Sequence, residues 1–161
     1  MLLSGVIAGL TLGFAVGRDW HRLERLQIKW LPILVVALVA RVVAPLFPFA
    51  IVLYLLGIIL TAGFAAVNWR LPGAPLVALG SLLNLVVIVA NGAMPVEVEL
   101  LQAAGGRFPD DALHEAITDK AVLPILADVI IVPFVRAAYS VGDVFIAIGG
   151  FLLPFVTLTR R

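Results

Sequence analysis

The sequence predicts an all-α integral membrane protein, a bundle of about five transmembrane helices with a short extracytoplasmic cap. Three observations carry that expectation. The chain of 161 residues is 63% hydrophobic and only 13% charged, against roughly 45–50% and about 25% in soluble domains. Its apolar residues gather into five long stretches. Its basic residues fall mostly on one side of those stretches. A soluble fold could not cover its surface with so few charges, so a water-soluble enzyme or a nucleic-acid binder is nearly excluded.

The stretches, taken in order, define one transmembrane domain. Leu2–Val16 comes first; no basic residue precedes it and its positive charges follow, which argues for a retained span over a cleaved signal peptide. Glycines at 5, 9, 13 and 17 recur every fourth position along it, a small-residue face for packing against the bundle or another protein. Leu31–Ala44 and Pro48–Val67 follow, then Pro75–Ala90 and finally Val141–Leu158. Crossing about 30 Å of hydrocarbon takes about 20 helical residues, so the first, second and fourth need flanking residues or local thinning. Ala121–Val135 is also apolar, but Pro124, Asp128 and Pro133 interrupt it, and it reads as interfacial or re-entrant.

Charge sets the expected orientation. Arg18, Arg22, Arg25, Lys29, Arg70, Arg160 and Arg161 fall on one side, and Arg107, Lys120 and Arg136 on the other. The first side is cytoplasmic by the positive-inside rule, with the N-terminus outside. Trp20, Trp30 and Trp69 adjoin the same basic loops, at an interface that suits an indole. Glu97, Glu99, Asp110, Asp111, Glu115 and Asp119 crowd into 91–120, the expected outer cap. Pro109–Ala116 is its expected helical piece, with acids in the first turn. Such a cap reads as a solvated face or as a lid or partner surface.

Charges at membrane depth are costly and mark candidate function. There are three: Arg41, Asp128 and Asp143, all toward the outer leaflet. Two carboxylates in a partly dry site share a proton and supply one general base and one general acid, as an aspartic peptidase requires. Each also has a structural reading. Ser140-Val-Gly-Asp143 is a capping-box pattern; Asp128 could pair with Arg41 or Arg136; Arg41 could snorkel outward. Asn84, in mid-span, suggests an interhelical hydrogen bond. Asn91-Gly92-Ala93-Met94-Pro95 signals a helix end and turn. Arg41, Asn84, Asn91 and Ser140 are the candidate substrate-contacting positions. His114 stands too isolated for a metal site, and His21 lies in the basic loop. No cysteine is present, and no metal or cofactor motif is found.

The order of Asn84-Leu85, Asn91-Gly92-Ala93-Met94-Pro95-Val96, Leu126-Ala127-Asp128-Val129-Ile130 and Ser140-Val141-Gly142-Asp143-Val144 resembles a family of small bacterial multi-span proteins of unknown function. That resemblance implies the bacterial cytoplasmic (inner) membrane. The last 35 residues also resemble, more distantly, the C-terminal part of lipoprotein signal peptidase (signal peptidase II). Leu126-Ala127-Asp128-Val129 stands for its first aspartate element, and Tyr139-Ser140-Val141-Gly142-Asp143-Val144 for its second. Gly80-Ser81-Leu82-Leu83-Asn84-Leu85 echoes its Gly-Asn-Leu box. Val86-Val87 and Ser140 depart from its pattern, as do the 91–120 insertion and the fifth span. This second resemblance implies an aspartic endopeptidase with Asp128 and Asp143 as its dyad, acting on a lipoprotein precursor. The alternative expectation is a non-catalytic accessory or structural subunit that uses the glycine face and the cap to hold a partner membrane subunit. Membrane lipid is an expected neighbour in either case, and nucleic acid in neither.

Overall fold

A computed structural model describes residues 1–16 and 21–160. Gly17, Arg18, Trp20 and Arg161, which entered the glycine, charge and tryptophan readings, lie outside the described residues. The apolar stretches are helices: α1 (Leu2–Val16), α3 (Leu31–Val43), α4 (Ala50–Val67), α5 (Ala74–Asn91) and α7 (Val141–Thr159). Of these, α4, α5 and α7 are long and apolar enough to cross a membrane, and α1 and α3 are shorter. Short helices α2 (His21–Glu24) and α6 (Val98–Ala103) lie in the connections. Pro32 opens α3 and Pro75 opens α5, where a missing N–H costs nothing. Gly92 closes α5 at φ +89°, the left-handed conformation expected of that turn.

The long helices pack in the order α1, α7, α5, α4, α3. Glycines set the approach. Gly5 lies against Ala147, Gly9 against Phe151 and Pro154, and Gly13 against Leu158. The numbers rise together, so α1 and α7 run parallel. Gly73 meets Gly149, and Gly80 meets Gly142. Here one number rises as the other falls, so α5 runs antiparallel to α7. A Cβ on Gly5 or Gly80 would collide with the facing carbonyl, and close approach is what small-residue spacing provides. The glycine face of α1 is therefore spent inside the chain.

Segment 92–140 departs from the expected cap. Pro109–Ala116 is not helical: it ends in strand β2 (His114–Ala116), parallel to β1 (Met94–Val96) with Met94 opposite His114 and Val96 opposite Ala116. The cause is local. Asp111 Oδ1 accepts from the Leu113 N–H at 2.9 Å, a side-chain turn that competes with helix. Strands β3 (Ile130–Val132) and β4 (Ala137–Tyr139) make an antiparallel hairpin just before α7. The segment does not merely sit over helix ends. Met94 packs against Ile58, at the middle of α4, and against Val87 and Ile88 in the second half of α5. Leu113 packs on Ala44 and Ala50. Thus α7 covers the first half of α5, and the strands flank the second half.

A candidate carboxylate-pair site

The site lies where the strand segment meets α7. Ser140 begins the helix with the capping box expected of it: its Oγ accepts from the Asp143 N–H at 2.9 Å, and its own N–H points to Asp143 Oδ2 at 3.5 Å. Asn84, buried in α5, completes the ring. It accepts from Ser140 Oγ at 2.8 Å and donates through Nδ2 to Asp143 Oδ1 at 3.2 Å. The interhelical role expected for Asn84 is thus met by two named partners. Gly142 makes the ring possible, because any Cβ there would strike Asn84 Oδ1.

Asp128 comes from the strands, near enough to Asp143 for that carboxylate to act on it. Its backbone bridges to Val96; its N–H donates to the Pro95 carbonyl at 2.9 Å, and its carbonyl accepts from the Glu97 N–H at 3.1 Å. Pro95 offers only an acceptor on this edge, so the missing proline N–H is not felt. The Asp128 side chain is 7% exposed, and its Oδ1 has no hydrogen-bond partner among the described residues. Burial, and then the neighbouring Asp143 charge, push its carboxyl up to about 8. At neutral pH it therefore keeps its proton.

The remaining candidates lie elsewhere. Arg41 donates to the Tyr54 hydroxyl at 3.0 Å and stacks over that ring at 4.9 Å. Its stem packs on Gly57. Neither Arg41 nor Arg136 forms an ion pair with Asp128 among the described residues. Asn91 ties the end of α5 to the 121–123 backbone, donating to Val87 and Val122 carbonyls and accepting from the Val122 N–H at 2.7 Å.

Sequence reasoning weighed Arg136 only as an ion-pair partner of Asp128 and did not bring Arg107 or His114 to it. Arg107, His114 and Arg136 share a cavity of about 130 Å³ with Asp128. His114 is not isolated, since its Nδ1 lies 2.8 Å from Asp111 Oδ1. Only the Asp111-x-x-His114 spacing hints at that contact, and nothing local links either residue to position 128.

No curated protein and no solved structure matches the chain. Residues 25–155 match the model of the family of unknown function DUF5317, and with most of its length inside that match the chain belongs to this family.

Proposed function

We propose that the protein is a five-span membrane aspartic hydrolase, most simply an endopeptidase resembling signal peptidase II, with Asp128 and Asp143 as its catalytic pair. The observation that carries the reading is the buried Asp128 carboxyl, which lacks a partner and holds its proton beside a second carboxylate. Environments that separate two carboxyls in this way assign an acid and a base. Asp143 receives hydrogens from Asn84 and from the Ser140 backbone, contacts that suit the ionised partner.

In this mechanism Asp143 takes a proton from a water molecule as the water oxygen attacks the scissile carbonyl. Asp128 gives its proton to the carbonyl oxygen. The tetrahedral diol then collapses; the C–N bond breaks, the amine leaves with the proton from Asp143, and Asp128 recovers its own from the diol. Atoms and charges balance, and the pair returns to its starting state.

The topology within this proposal has the N-terminus outside and the C-terminus cytoplasmic. Alternating helix directions along α3, α4, α5 and α7, with α1 parallel to α7, suit a five-span path. Apolar side chains such as Leu3, Val42, Val52 and Val89 face outward, as lipid contact favours. Trp30 and Trp69 are exposed, Trp69 beside Arg70. The accessory-subunit alternative loses the glycine face of α1, which α7 occupies, and keeps only the 92–140 segment as a partner surface.

The test is cleavage of a lipid-modified lipoprotein precursor by purified protein in detergent micelles. Asp128→Asn and Asp143→Asn should each lower turnover at least about 100-fold, the lower bound for a lost acid or base, with helical content unchanged. Wild-type turnover in either variant ends the proposal.

A further inference from the structure

The cavity beside Asp128 contrasts with the apolar one between the helices. The space of about 200 Å³ among α1, α3, α4, α5 and α7 is lined almost wholly by apolar side chains. Its one polar lining residue, Asn68, is bonded to Lys29 and Phe64. The cavity at Asp128 is instead lined by two arginines and a histidine, which with Asp128 come from four separate stretches of chain.

Each member is held by a different device. Strand β1 places His114 on one side, through β2, and Asp128 on the other. Asp111 holds His114 Nδ1, which turns Nε2 away from Asp111. Arg136 closes the β3–β4 turn at φ +52°, a conformation glycine adopts at lower cost. Its side chain passes over Gly105, where an added Cβ would come within 3.7 Å of Nε. Arg107 enters from the loop after α6.

The charges do not cancel. Among the described residues, neither Arg107 nor Arg136 has an acidic partner. Asp128 is the sole carboxylate lining the cavity, and it stays protonated at neutral pH. The cavity lining therefore brings together two arginines and an acid O–H, donors for which no acidic partner stands among the described residues. Guanidinium forks match the paired oxygens of carboxylate and phosphate groups.

We propose that this cavity is an oxyanion-binding subsite, formed by Arg107, Arg136 and His114 around Asp128, which takes a carboxylate or phosphate group carried by the substrate. The substrate role rests on the hydrolase reading above; the binding of the anion does not. An anion seated here lies beside Asp128, so within the hydrolase reading the substrate class is one with a negative group close to the bond that is cut.

The test titrates purified full-length protein in neutral detergent at about pH 6.5, below the Asp128 transition. Inorganic phosphate is used in one arm and acetate in the other, each against chloride at matched ionic strength, with binding read by calorimetry. Saturable binding above chloride is expected, and the tighter arm names the oxyanion. Arg107→Gln and Arg136→Gly should each weaken it about tenfold or more. The glycine variant relieves a strained backbone, so its loss of binding cannot be put down to unfolding. Asp128→Asn should bind within about threefold of wild type, since its amide still donates. No binding above chloride in either arm, or undiminished binding in both arginine variants, overturns the subsite. The two proposals fail separately: an Asp128→Asn protein that still hydrolyses its substrate ends the dyad mechanism and leaves anion binding standing.

Discussion

The seam of α1, α7 and α5 and the strand segment 92–140 solve one packing problem in opposite ways. Along the seam, glycines bring helix backbones into direct contact, and order comes from shape. In the strand segment, order comes from hydrogen bonds between distant short pieces, 94 with 114 and 96 with 128. The catalytic candidates straddle the two, Asp143 on the seam and Asp128 on the strands. The comparison teaches that the seam tolerates almost no added volume, while the strands depend on their polar partners.

The largest predicted effect breaks the seam. Gly5→Ala drives a methyl into the Ala147 carbonyl; overpacking of this kind costs about 1–3 kcal/mol, occasionally more. The same substitution at Gly63, which has nothing within 4 Å, should instead stabilise by roughly 0.5–1 kcal/mol, the helix preference for alanine over glycine. Thermal unfolding in detergent compares them, and equal shifts would refute the shape argument.

The second prediction concerns the strands and pH. Between the ordinary value of 3.8 and about 8, folded Asp128 keeps a proton that the unfolded chain has lost. The native state then binds more protons, and stability falls as pH rises through that window. Wild-type unfolding temperature should therefore drop between about pH 5 and pH 8, while Asp128→Asn stays flat. Parallel curves would remove the buried proton from the account.

The smallest effect sharpens the boundary. Asn91→Ala removes the ties to residues 121–123, at about 1–2 kcal/mol for hydrogen bonds of this kind. Hydrogen exchange should quicken at the Val122 amide and leave α7 unchanged. Faster exchange throughout α7 would mean that strands and seam are one cooperative body.

Legibility in the sequence divides along the same line. The helices were readable because their signals are local: apolar runs, an initial proline, Gly92 after Asn91, and the Ser140 capping box all act within a few residues. The Gly5, Gly9 and Gly13 spacing gave the packing face, though not that α7 covers it. The strands were not readable. Each has three residues, too few for an alternating pattern, and β1 depends on partners 20 to 32 residues away. Asp110 and Asp111 suggested a helix start by charge, but the Asp111 side chain bonded to its own turn instead. Asp128 and Asp143 could each be chosen from their depth, and Asn84 and Ser140 from their polarity. Arg136 could be named only as an ion-pair partner for Asp128, and Arg107 and His114 could not be linked to it, because only the folded strands bring those loops together.

The parallel contact between α1 and α7 also bears on how the molecule is made. Its contacts join residue 5 to 147 and residue 9 to 151, so a helix made early pairs with one made much later. Contacts so distant in sequence form late and carry a large closure cost. Through most of synthesis α1 must wait with its glycine face uncovered, while α3, α4 and α5 can already pack on one another. Only when α7 emerges do Gly142 and Asn84 meet, so the seam closes and the capping ring around Asp143 forms together with it.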